Sequence, residues 1–155
     1  MKIMDFLNKK AISSDLKATD KEGVIRELVD LLVKAEAIKT KKEEIVKILI
    51  AREALGSTGI GQGISIPHGK SPYIKSLVAA FGLSRNGIDF ESLDGEPAYI
   101  FFLLLAPEES AGPHLKALAR ISRLLKDKYV REMLRKAQNE KEIIKIITEE
   151  DLKKH

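Results

Sequence analysis

Residues 52–70 read REALGSTGIGQGISIPHGK, and the rest of the chain is organised around this stretch. Three glycines fall within residues 59–63. Because glycine loses more chain entropy on folding than other residues, this concentration indicates unusual backbone angles or a close backbone approach. Pro67 fixes its own φ and favours an extended conformation for the residue before it. The stretch therefore predicts the end of a helix, a glycine loop, a short strand over residues 64–67 and a rigid turn that presents His68.

The same stretch resembles the active-site region of one protein family, the IIA components of the phosphoenolpyruvate-dependent sugar phosphotransferase system, fructose/mannitol class. The matching motifs are Arg52-Glu53, Ser57-Thr58-Gly59-Ile60-Gly61, Gly63-Ile64 and Ile66-Pro67-His68-Gly69. This motif is long and ungapped, and is therefore far more specific than an isolated glycine motif. Its glycines precede a strand instead of opening a helix after one, which argues against a dinucleotide fingerprint. Within the class, the string is most similar to the nitrogen-related branch and next to the fructose IIA.

The resemblance implies a chemistry for His68. A histidine-containing phosphocarrier protein, HPr, would phosphorylate His68, and His68 would pass the group to a cysteine of a IIB component. In the family the attacking atom is Nε2, and nothing in the sequence identifies the atom here. His114 matches the family's second histidine, which lies beside the phosphoacceptor. The reaction would need no cofactor and no metal.

The residue types in the motif suit phosphoryl transfer. Neutral imidazole is a nucleophile near neutral pH because its unperturbed pKa is about 6.5. The protein has mainly to position the group and to stabilise charge on its oxygens. We predict that the planar guanidinium of Arg52 neutralises that charge, and that His114 bonds a phosphate oxygen or orients His68. Backbone N–H groups and hydroxyls of four residues are predicted to bind phosphate: Ser57, Thr58, Gly59 and Gly61.

Each of these residues also has a purely structural interpretation. His68 could be a turn or core histidine, and His114 a half-exposed residue on the first turn of a helix. The charge of Arg52 near a helix end suits the macrodipole without any ligand. Glu53 could simply pair with a neighbour. His155 is the last residue and is expected to belong to a disordered end.

The composition predicts one globular domain over residues 1–155. Apolar residues make up 44% of the 155 and charged residues 32%, and this length is enough for a sizeable core. The first ten residues lack the apolar stretch of a signal peptide, and the longest apolar run, residues 98–106, is too short to span a membrane as a helix. We therefore expect a cytoplasmic chain without stable membrane insertion.

Several function classes are disfavoured by what the sequence lacks. With zero cysteines there is no disulfide framework and no thiol nucleophile. Two usable histidines without HExxH spacing argue against a metal site, and the lack of GxSxG argues against a serine hydrolase.

The net charge is +4, but lysines alternate with glutamates, as in residues 41–44. This pattern favours a solvated helix surface over a nucleic-acid patch, and a mild positive field suits an acidic or phosphorylated partner.

Hydrophobic periodicity predicts helices over residues 21–37, 41–55, 115–125, 130–137 and 141–147. Strands are predicted over residues 64–67, 77–84 and 98–106, with residues 12–16 an edge strand or irregular. Thr19 or Asp20 is expected to cap the first helix. Thr40 and Glu43 match a capping box for the second, which Gly56 should end.

The order of these elements predicts the fold class. Residues 98–106, AYIFFLLLA, are typical of a strand buried on both faces of a sheet. Residues 85–87, Arg-Asn-Gly, are a hairpin signal that would make one strand pair antiparallel. Alternating helices and strands then indicate a three-layer α/β/α sandwich with a mixed, mostly parallel central sheet. Residues 107–113 are expected to form a loop and residues 151–155 a charged tail.

Two functions remain open, and they share every residue named above. The first is a phosphoryl relay that passes the group from HPr to a IIB component. The second is a regulatory module, in which the charge of a phosphorylated His68 changes the binding of a target protein. A chain without a fused IIB or membrane segment suits the regulatory branch. A third possibility, a relative that has lost phosphorylation, such as the cytoplasmic domains of anion transporters, is disfavoured by the retention of Arg52, His68 and His114.

Overall fold

The centre of the molecule is a mixed β-sheet. The computed structural model describes residues 1–154, and within them six strands form the sheet: β1 (Leu7–Ser13), β2 (Gly59–Gly61), β3 (Ile64–Ser65), β4 (His68–Ser71), β5 (Val78–Ile88) and β6 (Ala98–Pro107). Their order is β1-β5-β6-β3-β2, and β4 also pairs with β6. Parallel pairs join β1 to β5, β3 to β6 and β4 to β6, whereas β5 to β6 and β2 to β3 are antiparallel. The predicted mixed, mostly parallel sheet is confirmed.

Helices cover both faces of this sheet. They are α1 (Lys21–Lys34), α2 (Lys42–Leu55), α3 (Ala111–Leu125), α4 (Lys128–Lys136) and α5 (Glu140–Lys153), and a 3₁₀ turn at Ile3–Asp5 precedes β1. Phe101 and Leu103 of β6 pack with α1 and α2, while Phe102 and Leu104 pack with α3, α4 and α5. Both sides of β6 are thus buried, which is why its sequence has no polar face. The three-layer sandwich is confirmed. Within residues 1–154, no helix is both long and apolar enough to cross a bilayer.

The antiparallel partner of β6 is longer than predicted. The hairpin expected at residues 85–87 is wrong, because these residues belong to β5. The ladder to β6 shifts register between Leu83 and Ile88, and Gly87 has a φ of +82°. Its left-handed conformation therefore serves an irregularity inside the strand and not a turn. The chain reverses further on, around Gly95.

The N-terminal region also differs from the sequence-based boundaries. The first strand is β1 at Leu7–Ser13, at one edge of the sheet, and not residues 12–16. Polar residues between Leu7 and Ala11 conceal the strand pattern in the sequence. Helix α1 is capped by Asp20, as predicted, because its carboxylate accepts the Gly23 N–H at 2.7 Å.

The capping box expected for the second helix is wrong. Helix α2 begins after Lys41, which has a left-handed φ of +65° and makes no side-chain cap. Glu43 lies in the first turn but accepts a hydrogen bond from Arg26 of α1 at 2.9 Å. The carboxylate thus ties two helices together instead of closing a cap. Gly56 ends α2, as predicted.

The C-terminal helix is longer than the sequence pattern indicates. Helix α5 continues to Lys153, so residues 151–154 are not a charged tail. Asp151 is only 3% exposed, accepts the Ile3 N–H at 2.8 Å and pairs with Arg120 of α3 at 2.8 Å. This buried carboxylate fastens the chain's first turn to α3. The prediction for His155 concerns a residue outside the described range.

Candidate functional site

An open cleft of about 520 Å³ contains the three side chains that the sequence singled out for catalysis. Arg52 comes from the last turn of α2, His68 from the first position of β4, and His114 from the first turn of α3. The other residues that line the cleft are Ile48, Ala51, Leu55, Gly69 and Lys70. Pairing of β4 with β6 places His68 opposite Leu104, three residues before the end of β6 and so close to the loop that leads into α3. The fold thereby brings two histidines that are distant in sequence to one site.

The imidazole of His68 is held by the backbone that precedes it. Its Nδ1 lies 2.7 Å from the carbonyl oxygen of Ile66. A carbonyl can only accept, so Nδ1 carries the hydrogen and Nε2 keeps the lone pair. The carbonyl of Pro67 in turn accepts the Leu104 N–H at 2.9 Å, which fixes this turn on the central strand. The ring is therefore presented in one tautomer.

Electrostatics keep His68 neutral at physiological pH. Burial lowers its pKa below the ordinary value, and the positive charge of Arg52 lowers it further. The Ile66 carbonyl and the carboxylate of Glu53 oppose this shift without reversing it. A neutral, uncharged Nε2 is the form that can act as a nucleophile.

His114 lies beside His68 and is buried. The two ring centroids are 5.5 Å apart with a 58° angle between the planes, and His114 is only 5% exposed. Burial, followed by the nearby His68 and Lys70, lowers the pKa of His114 to about 4. Its Nε2 is buried and has no hydrogen-bond partner within residues 1–154. A neutral ring with an unused polar atom is thus available beside His68.

Helix α3 starts earlier than predicted, and this shapes the position of His114. The helix begins at Ala111 and not after Pro113. Proline is tolerated in a first turn because its missing N–H would have no helical partner there. The N–H of His114 already donates to the Ser110 carbonyl at 3.1 Å. His114 is therefore fixed to a formed helical turn and does not belong to a loose loop.

Arg52 extends along the end of α2 towards the cleft. One Nη1–H donates to the carbonyl of Gly56 at 2.7 Å, so the side chain does satisfy the helix end. Within residues 1–154 this is the hydrogen bond that the guanidinium makes, which leaves further N–H groups of its planar fork for a ligand. The structural and the catalytic interpretations of Arg52 are thus compatible.

The predicted phosphate-binding residues are not among those that line the cleft. Instead of a loop, β2 and β3 form a tight antiparallel hairpin, with Gly61 at a φ of +94°. Ser57 Oγ donates to the Phe90 carbonyl at 2.5 Å and accepts the Gly59 N–H at 2.9 Å. Thr58 is 3% exposed, and its N–H and hydroxyl both donate to Glu53. A phosphate role for Ser57, Thr58, Gly59 and Gly61 remains a prediction, and the two hydroxyls would have to change partners.

Glu53, for which the sequence indicated only a pairing with a neighbour, does not line the cleft but accepts hydrogen bonds from Thr58. It is 7% exposed and continues the buried face of α2 that carries Ile45 and Leu49 at four-residue spacing. A carboxylate on an apolar helix face needs buried partners, since an unpaired buried charge is costly. The four-residue spacing of Ile45, Leu49 and Glu53 was the signal in the sequence that Glu53 lies on the buried face of α2.

Comparison with known proteins gives the context of this cleft. The family model described as "Phosphoenolpyruvate-dependent sugar phosphotransferase system, EIIA 2" matches residues 5–150. A fructose-specific EIIABC component of Bacillus subtilis is 40% identical over 151 residues, 97% of this chain, but the chain spans only 24% of that relative. A nitrogen regulatory protein of Bradyrhizobium diazoefficiens is 40% identical over 148 residues, 95% of each chain.

A solved structure gives the same result. The nitrogen regulatory protein IIA-Ntr from Neisseria meningitidis superposes with a TM-score of 0.86 and 32% identity, over 94% of this chain and 98% of that one. Family match and structural likeness both extend over nearly all of the described residues. The chain therefore belongs to the EIIA type 2 family of the phosphoenolpyruvate-dependent sugar phosphotransferase system.

Proposed function

We propose that this chain is a phosphoryl-relay protein in which Nε2 of His68 accepts a phosphoryl group from HPr and passes it to a fructose-like IIB component. The observation that carries the proposal is the 2.7 Å contact between His68 Nδ1 and the Ile66 carbonyl. It leaves the Nε2 lone pair as the nucleophile in a cleft that also holds Arg52 and His114. Covalent transfer through histidine divides one phosphoryl transfer into two easier steps.

The two steps balance without an added reactant. In the first, the Nε2 lone pair attacks the phosphorus of phosphorylated HPr, and the electrons of the breaking P–N bond return to the imidazole of HPr. In the second, a cysteine thiolate of IIB attacks the same phosphorus, and the P–Nε2 bond breaks with its electrons returning to His68. The hydrogen stays on Nδ1 throughout and is donated to the Ile66 carbonyl, so no proton has to leave the ring.

Charge around His68 suits these steps. The transferring group carries negative charge on three oxygens, and the guanidinium of Arg52 and the ammonium of Lys70 lie in the same cleft. His114 has a buried, unused Nε2, which can donate to a phosphoryl oxygen when it carries the ring hydrogen. Ser57, Thr58, Gly59 and Gly61 would complete the phosphate site by exchanging their present partners. No cofactor or metal enters this scheme, and we propose that it operates in the cytoplasm within one domain.

A nitrogen-regulatory role is the second candidate. The observation that favours it is the likeness to nitrogen regulatory proteins, one of which is 40% identical over 95% of each chain, while another superposes with a TM-score of 0.86. In this role phosphorylation of His68 would control the binding of a target protein through the added negative charge. The accepting step at His68 is common to both candidates.

Intact-mass measurement tests the accepting step. The purified chain is incubated with phosphoenolpyruvate, enzyme I and HPr, as wild type, as His68→Ala and as His155→Ala. The chain has three histidines, so His155→Ala is a matched control that removes one with no predicted role in the reaction. We expect one acid-labile phosphoryl group on wild type and on His155→Ala, and none on His68→Ala. An unlabelled wild type beside labelled HPr would refute the phosphotransferase function.

A second measurement separates the two candidates. Phosphorylated chain, freed of HPr, is mixed with a purified fructose-type IIB domain and with a variant of that domain in which its cysteine is serine. Loss of the label from this chain, with gain on the cysteine-containing domain alone, is expected for the relay. Retention of the label would contradict the relay and leave the regulatory role.

A further inference from the structure

A series of hydrogen bonds connects a buried carboxylate to the nucleophile. It begins at Glu53, one residue after Arg52 on α2, whose carboxylate accepts the Thr58 N–H at 2.9 Å and also the Thr58 hydroxyl. Thr58 is thus held by two bonds to one side chain. Since both residues are buried, water does not compete for these bonds.

The series continues through the backbone to His68. The carbonyl of Thr58 accepts the Ile66 N–H at 3.1 Å, and the carbonyl of Ile66 accepts the Nδ1–H of His68 at 2.7 Å. Pro67 follows Ile66 and restricts its backbone conformation. The peptide groups on both sides of Ile66 are therefore held, one by Thr58 and the other by the imidazole.

A lysine supports the buried end of the series. Lys21 Nζ lies 3.8 Å from Glu53 Oε2 and 3.2 Å from Glu91 Oε1. It also sits over the ring of Phe90, 5.1 Å from the centroid. The ammonium group offsets part of the cost of burying the carboxylate. Glu91 is exposed and bonds the same lysine, so it offers a natural control for the loss of a carboxylate at this point.

We propose that Glu53 is a positioning residue for the reaction of His68. Its bonds to Thr58 fix the strand segment that carries the Ile66 carbonyl, and this carbonyl keeps the ring hydrogen on Nδ1 and the lone pair on Nε2. Glu53 does not touch the transferred group and acts only through this series. The inference rests on the proposed function of His68 for its catalytic meaning, but the tautomer itself is a property of the chain alone.

The tautomer is measured first, without any phosphoryl donor. Long-range ¹H–¹⁵N NMR of the full chain distinguishes a protonated ring nitrogen from an unprotonated one, and is recorded for wild type, Glu53→Gln, Thr58→Val and the control Glu91→Gln. We expect His68 of wild type and Glu91→Gln to carry its hydrogen on Nδ1. In Glu53→Gln the ¹⁵N chemical shifts of the two ring nitrogens should move towards a common average. Thr58→Val removes the bonds of the hydroxyl to Glu53 and Ser65 but keeps the N–H bond to Glu53, so the shifts should move less in the same direction.

Phosphorylation by HPr is then followed for the same variants. A misplaced nucleophile should lower the rate of transfer by about tenfold or more while the KM for HPr stays unchanged, since Glu53 lies outside the cleft surface. A wild-type tautomer in natively folded Glu53→Gln would overturn the inference. Should that variant not fold, an unchanged tautomer in Thr58→Val would overturn it instead. Neither result depends on whether HPr is the donor, so failure of the positioning series and failure of the proposed function are distinguishable.

Discussion

Replacement of His114 by asparagine should make the stability of the chain less sensitive to acid. In the folded protein, burial and the neighbouring His68 and Lys70 hold the pKa of His114 at about 4. In the unfolded chain the imidazole regains its ordinary value of 6.5. Between these two values the unfolded state binds a proton that the folded state does not. Stability from this group is therefore complete above pH 6.5 and is lost as the pH falls towards 4.

The size of the effect follows from the two pKa values. Each unit of difference corresponds to about 1.36 kcal/mol, so a fall from 6.5 to about 4 corresponds to about 3 kcal/mol. With 5% exposure of the residue, solvent screening reduces this figure little. Single domains have total stabilities of about 5–15 kcal/mol, so the difference lies well within reach of an unfolding experiment.

Urea unfolding, followed by far-UV circular dichroism, provides the assay. The free energy of unfolding is measured for wild type and His114→Asn near pH 7 and near pH 4. Both chains retain His68 and every carboxylate, so the difference between their acid-induced losses isolates His114. Wild type should lose about 3 kcal/mol more than His114→Asn on acidification. Equal losses in the two chains would refute the proton linkage, and an NMR titration of His114 with a midpoint near its ordinary pKa would refute its cause.

Two further substitutions test the electrostatics of the site and of the fold. Arg52→Gln removes a positive charge that lowers the pKa of His68. The pKa of His68 should therefore rise, and the acid limit of phosphoryl acceptance should move to higher pH. An NMR titration in which the pKa of His68 is unchanged or falls would contradict this. Asp151→Ala leaves Arg120, a half-buried arginine of α3, without its buried partner and should destabilise the chain by about 3 kcal/mol. A thermal unfolding midpoint equal to that of wild type would contradict this.

Much of the fold could be predicted because some segments carry a pattern that tertiary contacts reinforce. The apolar run of β6 has no polar face and is typical of a central strand. The apolar residues of α1 recur at helical spacing and form its one buried face. Where local signals compete with pairing, prediction failed. Residues 85–87 satisfy a hairpin rule, yet they lie inside β5, where the ladder to β6 skips from Leu83 to Ile88 and Gly87 serves the register shift. Strand β4, His-Gly-Lys-Ser, has no strand propensity and exists because β6 offers it a parallel partner.

The site was predictable to the extent that its chemistry is local in sequence. The motif points to His68 and Arg52, and resemblance adds His114, which the structure brings to within 5.5 Å of His68. Which ring nitrogen of His68 keeps its lone pair could not be read from residue types, because it depends on the direction of one carbonyl, that of Ile66. For Glu53 the sequence indicated only a pairing with a neighbour, because residue types do not show which neighbour that is or whether the pair is buried. Only the packing of α2 shows that Glu53 is buried.

The two candidate functions make different demands on a partner at the rim of this cleft. Leu55 and Leu115 are 86% and 66% exposed, although one lines the cleft and the other follows His114, so a partner that covers them would exclude water from His68. A relay partner must bring a thiolate to phosphorus, and it can do so even if it binds both states of His68 equally. A regulatory target needs no acceptor, but it must bind one state more tightly, because a ligand with equal affinity for two states shifts neither. Acceptance of the group and preference for one state are therefore independent quantities, and a given partner is assigned by measuring both.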